Sequence, residues 1–224
     1  MTDWTIQSLA REIAARKISP VEATQACLER IARLDGRLHA FITVDADGAL
    51  AAARALETEL AAGRSRGPLH GVPLAYKDLC HVPGLPTSCG TKTREYFTSP
   101  VECTAAARLR DAGAVTLGKL NMTELAMGPF GDNAHHGDVH NPWRPGHCSG
   151  GSSSGSAAAV AAGFALATLG SDTGGSTSRR AGRGPRRLRG SAPRRRPCGP
   201  RDPGDPSTTR AASPRRGSRG RTWA

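Results

Sequence analysis

Apolar residues recur at helical spacing from the start of the chain. Ile6, Leu9, Ala10, Ile13 and Ala14 fall on one face of a helix over residues 5–16. Ser19-Pro20-Val21-Glu22 comes next, a capping box with proline at the first helical position, and predicts a second helix to about Leu34. Asp35-Gly36 stops that helix, and residues 39–44 read as a short extended stretch. An Ala/Leu/Glu helix fills about 48–62 with Gly63 as its C-cap, and residues 63–67 are a loop. The pattern then changes. Residues 71–78 are apolar and punctuated by proline, a buried strand that delivers Lys77 at its end. Residues 81–88, with Pro83 and Pro86, read as a loop, and Ser99-Pro100-Val101-Glu102 as a second capping box opening a helix that ends at Gly113. Residues 114–117 form the next strand, and Asn121-Met122-Thr123-Glu124 caps a short helix after it. Strands alternating with helices predict an α/β fold with a mostly parallel sheet. Functional groups should then gather at the carboxyl ends of strands, where Lys77 and residues 171–176 fall.

Residues 149–176 carry the densest chemistry. Gly150-Gly151-Ser152-Ser153-Ser154-Gly155-Ser156 crowds hydroxyls onto backbone that glycine frees, a helix former follows over 157–162, and an apolar run over 164–169 leads into Gly170-Ser171-Asp172-Thr173-Gly174-Gly175-Ser176. A flexible Gly/Ser linker would not hold a helix former and an apolar run between its loops. Converging backbone amides beside a hydroxyl are the parts of an oxyanion hole next to a nucleophile.

These two loops, together with Gly71-Val72-Pro73-Leu74-Ala75-Tyr76-Lys77-Asp78 upstream, strongly resemble the amidase signature family of Ser–Ser–Lys amide hydrolases. The resemblance covers about residues 1–177. It implies a mixed, mostly parallel sheet with helices on both faces. Residues 1–176 would be the N-terminal part of such a domain, with a helical start over 1–65 and an α/β core over 66–176. Ser176 is the expected nucleophile, and the amides of Thr173, Gly174, Gly175 and Ser176 the expected oxyanion hole. No histidine sits in a matching motif, so the base should be a lysine kept neutral by burial, and Lys77 lies in an apolar run that would desolvate it. The resemblance further implies that Ser152 relays the proton between Lys77 and Ser176 through a cis peptide, with Ser153 orienting Lys77. It implies a small-molecule amide substrate and no cofactor or metal, and leaves a homodimer open. The family's activity is hydrolysis of a carboxamide, or amide transfer from glutamine in the A subunit of the tRNA-dependent amidotransferase. One small departure is Ser154, where the family usually has glycine.

A metal site is the alternative use for residues 128–147, a long loop holding Asp132, Asn133, His135, His136, Asp138, His140 and His147. Adjacent His135-His136 is not the i,i+4 pair of a helical zinc site, so a polar loop is the expected reading.

Charge changes the picture only at the end of the chain. The 224 residues, enough for one good core, carry a net charge of +12, which invites a nucleic-acid partner. Residues 177–224 hold 15 of the 31 Lys+Arg and only 2 of the 19 acids, leaving 16 basic against 17 acidic groups before them. This stretch holds 15 Arg, 7 Pro and 7 Gly and little apolar surface, so it is expected to be disordered. It is either an Arg-rich arm binding nucleic acid non-specifically or the product of a frameshift in a GC-rich gene. The absence of lysine favours the frameshift: ACA-TCC-CGG-CGG for Thr177-Ser178-Arg179-Arg180 reads Ile-Pro-Ala in another frame, the family's continuation. The chain is then a shortened and impaired amidase. The competing classes are an inactive fragment and a basic RNA-binding protein. Six cysteines without a CxxC pair, no signal-peptide pattern and no apolar run near about 20 residues predict a cytoplasmic protein with no membrane span.

Overall fold

The computed structural model describes residues 4–93, 98–173 and 176. The expectations for residues 177–224 and for Gly174 and Gly175 lie outside the described residues.

The start of the chain forms helices where its apolar period and caps predict them. Helix α1 (Ile6–Ala14) is capped by Thr5. Helix α2 (Pro20–Leu34) begins on the Ser19 box, in which Glu22 N donates to Ser19 Oγ at 3.0 Å and Ser19 N to Glu22 Oε2 at 2.8 Å. Strand β1 (Phe41–Val44) and helix α3 (Ala46–Ala61) come next. The remaining elements are β2 (Pro73–Lys77), α4 (Thr104–Asp111), β3 (Val115–Leu120), the hairpin β4 (His140–Asn141) and β5 (Arg144–Cys148), α5 (Ser154–Ala161) and β6 (Ala167–Leu169). The four-stranded sheet runs β1-β3-β2-β6, with β2 parallel to both β3 and β6 and β1 antiparallel to β3. It is the mixed, mostly parallel sheet expected. Among the described residues no helix is long and apolar enough to cross a membrane.

Side chains alternate across β2 and so separate the two faces. Ala75 packs with Cys27 and Ile31 of α2, Ala53 of α3 and Ala158 of α5. Tyr76 packs on the other face with Ala106 of α4, Cys80 and Leu85. Helices therefore cover both faces. Lys77 falls on the face of Ala75, toward the N-terminus of α5. A bulge near Gly118 shifts the β3 register so that Tyr76 pairs with Lys119 and Lys77 with Leu120. Gly118 sits at φ +146°, and a Cβ there would run into Thr43 O, so only glycine makes this bulge. The bulge sends Lys119 to the α4 face, away from Lys77.

Three local expectations are corrected. The Ser99 box does not start α4. Ser99 Oγ instead accepts from Val101 N at 3.2 Å in a local turn, Glu102 pairs with Arg110, and Cys103 caps the helix. Hydroxyls satisfy nearby backbone as readily in a turn as in a cap. Asn121 does not cap a helix either. It is buried, its Nδ2 donates to His39 O and Gly137 O at 2.9 Å each, and the next element is a single 3-10 turn, Glu124–Ala126, with no side-chain cap. The loop over 128–147 is not wholly irregular, because β4 and β5 pair antiparallel within it and just beyond it.

Candidate active site

The carboxyl ends of β2 and β6 bring Lys77 and residues 171–173 and 176 to one edge of the sheet, and the turn into α5 brings Ser152 and Ser153 between them. Lys77 is wholly buried although it ends a strand. Its Nζ donates to Ser152 Oγ and to Ser171 Oγ, each at 2.8 Å. Burial pushes the ammonium down to about 8, partly offset by the Cys80 thiol, the Asp172 carboxylate and the Cys89 thiol. The Gly151–Ser152 peptide is cis. Ser153 Oγ donates to Ser171 O at 3.1 Å and lies 3.4 Å from Ser176 Oγ. Ser176 Oγ donates to Ser171 O, and Ser176 N donates to Asp172 Oδ1 at 3.0 Å.

Lys77, Ser152, Ser153 and Ser176 therefore lie in one hydrogen-bonded group, joined through Ser171. Ser152 and Ser176 share no hydrogen bond among the described residues, and the second hydroxyl on Lys77 is that of Ser171 rather than Ser153. Of the expected oxyanion-hole amides, Thr173 and Ser176 are described, while Gly174 and Gly175 are not.

The turn into α5 is held against β3 by backbone. Thr123 N donates to Ser152 O at 3.2 Å and Gly155 N to Asn121 O at 2.9 Å. A Cβ on Gly155 would strike Ala40 O and come within 2.5 Å of Asn121 O. Gly155→Ala is therefore expected to destabilise the protein by about 1–3 kcal/mol through overpacking and to displace Ser152. Urea unfolding measures the first effect, and a midpoint equal to that of the unsubstituted chain would contradict it.

Two groups were not legible as site components. Ser171 is one hydroxyl among many in a Gly/Ser-rich loop. Lys119 is a second fully buried lysine, 3.0 Å from Asp78 Oδ1, with Nζ donating to Pro86 O and Thr87 Oγ1 at 2.8 and 2.9 Å. Asp78 also accepts from Ser88 N, Ser88 Oγ and Gly90 N, which ties the segment after Lys77 to β3. Lysine in an apolar strand was the signal, the same one that marked Lys77.

Within residues 128–147, Asn133, His135, His136 and Asp138 hold the loop to its surroundings. Asp138 Oδ1 accepts from Asn133 N at 3.0 Å, and Asn133 Nδ2 donates to Gly90 O and Met122 O at 2.8 Å each. His135 lies 3.0 Å from Glu124 Oε1, His136 lies 3.1 Å from Thr91 O, and the His140 ring lies tilted at 45° against that of His39. A cavity of about 450 Å³, lined by Thr123, Met127, Asp132 and Asn133 among others, adjoins the Ser152 turn through Thr123.

Comparisons with known proteins agree on one relationship. The model of the family described as Amidase matches residues 22–179. The A subunit of glutamyl-tRNA(Gln) amidotransferase from Acidothermus cellulolyticus is 53% identical over 172 residues, covering 77% of this chain and 34% of the relative. The protein of that name from Geobacter sulfurreducens is 50% identical over 174 residues, covering 78% and 36%. Among solved structures, one described as an amidase is 43% identical with a TM-score of 0.73, covering 77% of this chain and 39% of its own. The native peptide amidase of Stenotrophomonas maltophilia is 41% identical with a TM-score of 0.69, covering 73% and 35%. The chain spans about a third of the length of the curated relatives it matches.

Proposed function

The chain belongs to the amidase family, and on that premise we propose that Lys77, Ser152 and Ser176 are the catalytic group of a serine hydrolase that cleaves a carboxamide C–N bond. The observation that carries this reading is the buried Lys77 amine donating to Ser152 Oγ at 2.8 Å, with its pKa brought down to about 8. A lysine with a pKa of about 8 has a neutral fraction near neutral pH that can accept a proton, a fraction negligible in an ordinary lysine.

In the proposed reaction Ser176 Oγ leaves its bond to Ser171 O and turns to Ser152. Such contacts often tighten only when substrate is bound. Ser176 Oγ attacks the carbonyl carbon while its proton passes through Ser152 Oγ to the neutral Lys77 amine. Amides of residues 173–176, that of Ser176 on leaving Asp172 Oδ1, stabilise the oxyanion, a contribution worth about 10²–10³ in rate for each donor. The proton returns along the same relay to the leaving nitrogen, the C–N bond breaks, and an acyl ester remains on Ser176. Water, deprotonated by the same relay, hydrolyses that ester and restores the serine.

The relay sets the pH dependence. Below pH 8 Lys77 is mostly an ammonium and cannot accept a proton, so the rate should rise about tenfold per pH unit and level off above about 8. Initial rates across pH measure this. A limb titrating near ~6.5 and lost on replacing a histidine would instead identify a histidine base.

A second reading takes glutamine as the amide donor, with the ammonia used by partner subunits. The naming of relatives up to 53% identical as the A subunit of an amidotransferase favours it. Ammonia release from glutamine, set against release from a panel of primary amides, separates the two readings, with Ser176→Ala as the control in both. No release from any amide that depends on Ser176 would overturn both.

A further inference from the structure

A pair of thiols lies on the α4 face, outside the Lys77–Ser152–Ser176 group. Cys80 is in the turn that leaves β2, its N–H donating to Lys77 O at 2.9 Å, and Cys103 is the residue that caps α4. The backbone brings them together, since Cys103 N donates to His81 O at 3.0 Å. Their thiols interact within one apolar cluster, Cys80 in it and Cys103 packed against it, with Tyr76, Val82, Leu85 and Ala106. Both are free thiols in this structure.

We propose that Cys80 and Cys103 are a reversible dithiol–disulfide pair, oxidised by hydroperoxides, that fastens the turn after Lys77 to the start of α4. The two sulfurs differ in the way such a reaction needs. Cys103 is partly exposed, within reach of an oxidant, and sits at a helix N-terminus with its Sγ accepting from Ala106 N at 3.4 Å. Cys80 is buried, and burial pushes its thiol up to about 12, which keeps it from meeting the oxidant first. The more exposed Cys103 sulfur, on losing its proton, attacks the terminal oxygen of the hydroperoxide, breaking the O–O bond. The products are a sulfenic acid and, once protonated, water or an alcohol. Cys80 then loses its proton and attacks the sulfenic sulfur, the S–O bond breaks, and hydroxide leaves and takes up that proton as water. Two thiols are oxidised by two electrons and one peroxide is reduced. The S–S bond so formed is ~2.05 Å long, and the backbone bond from Cys103 N to His81 O holds the two residues near one another for it. A dithiol reverses the step by exchange.

The test is peptide mass spectrometry on the full chain after one equivalent of hydrogen peroxide. Trypsin separates the thiols, because Lys92 and Arg94 lie between them, giving peptides 78–92 and 95–108. These should be joined with the loss of two hydrogens and should separate in dithiothreitol. Cys89 shares the first peptide with Cys80, so the same join must persist in Cys89→Ser and vanish in Cys80→Ser and Cys103→Ser. In Cys80→Ser, a sulfenic acid on Cys103 should be trapped by dimedone. Conversion of Cys103 to sulfinic acid while Cys80 in the same molecules still takes iodoacetamide would overturn the proposal. So would loss of the join in Cys89→Ser.

Discussion

Ser176→Ala is expected to lower amide hydrolysis by the full chain by about 10⁴-fold or more, the scale of loss when a serine nucleophile is removed from a relay that acts as a unit. Lys77→Ala and Ser152→Ala should each cost about 10²–10⁴-fold, since each interrupts proton transfer to and from Ser176 Oγ. The effects should not add. Once Ser176 is gone the relay has nothing to deprotonate, so Ser176→Ala/Lys77→Ala should be little worse than Ser176→Ala alone. Ammonia release under saturating amide checks all four variants. Full turnover in Ser176→Ala would remove the nucleophile assignment, and additive losses would mean that Lys77 and Ser176 serve separate steps.

Asp78→Ala is expected to destabilise the fold by about 3–5 kcal/mol, the cost of leaving a buried charge without its partner. Lys119 is fully buried on the α4 face, and Asp78, 1% exposed, is the carboxylate within 3.0 Å of its Nζ. Removing Asp78 also strips acceptors from Ser88 N, Ser88 Oγ and Gly90 N, so the segment after β2 loosens together with β3. The double variant Asp78→Ala/Lys119→Met should recover part of the loss, because an apolar side chain needs no counter-charge. Urea unfolding followed by circular dichroism measures both. A loss below about 1 kcal/mol in Asp78→Ala would show that water reaches Lys119 and that the pair is not sealed from solvent.

The parts of this fold legible in the sequence are those decided within one turn or one strand. Ser19-Pro20-Val21-Glu22 starts α2 because cap, proline and carboxylate act over four neighbouring positions. The apolar run ending at Lys77 became a fully buried strand, since a run with no polar alternation suits only an interior position. The Ser99 box looked the same as the Ser19 box yet formed a turn, because Glu102 found Arg110 and Cys103 took the cap. Asn121 was read as a cap, but its partners are His39 and Gly137, distant in sequence, and no local pattern reveals a long-range acceptor. Likewise the antiparallel direction of β1 is a matter of long-range pairing with β3, and the facing of Lys119 toward Asp78 depends on the bulge at Gly118. In the candidate site the motif residues were readable one by one. The role of Ser171 as a bridge between Lys77 and the Ser153–Ser176 contact was not, because any hydroxyl of that loop could have filled it.

If buried Lys77 activates Ser176 through Ser152, a fluorophosphonate should label the full chain covalently, and the adduct forms without turnover or knowledge of the substrate. A single adduct is expected, located by peptide sequencing on Ser176. Its rate of formation should climb with pH to a plateau above about 8 and be lost in Lys77→Met. An adduct on Ser152, Ser153 or Ser171 with Ser176 unmodified, or labelling of Ser176 that is undiminished in Lys77→Met, would contradict this activation of Ser176.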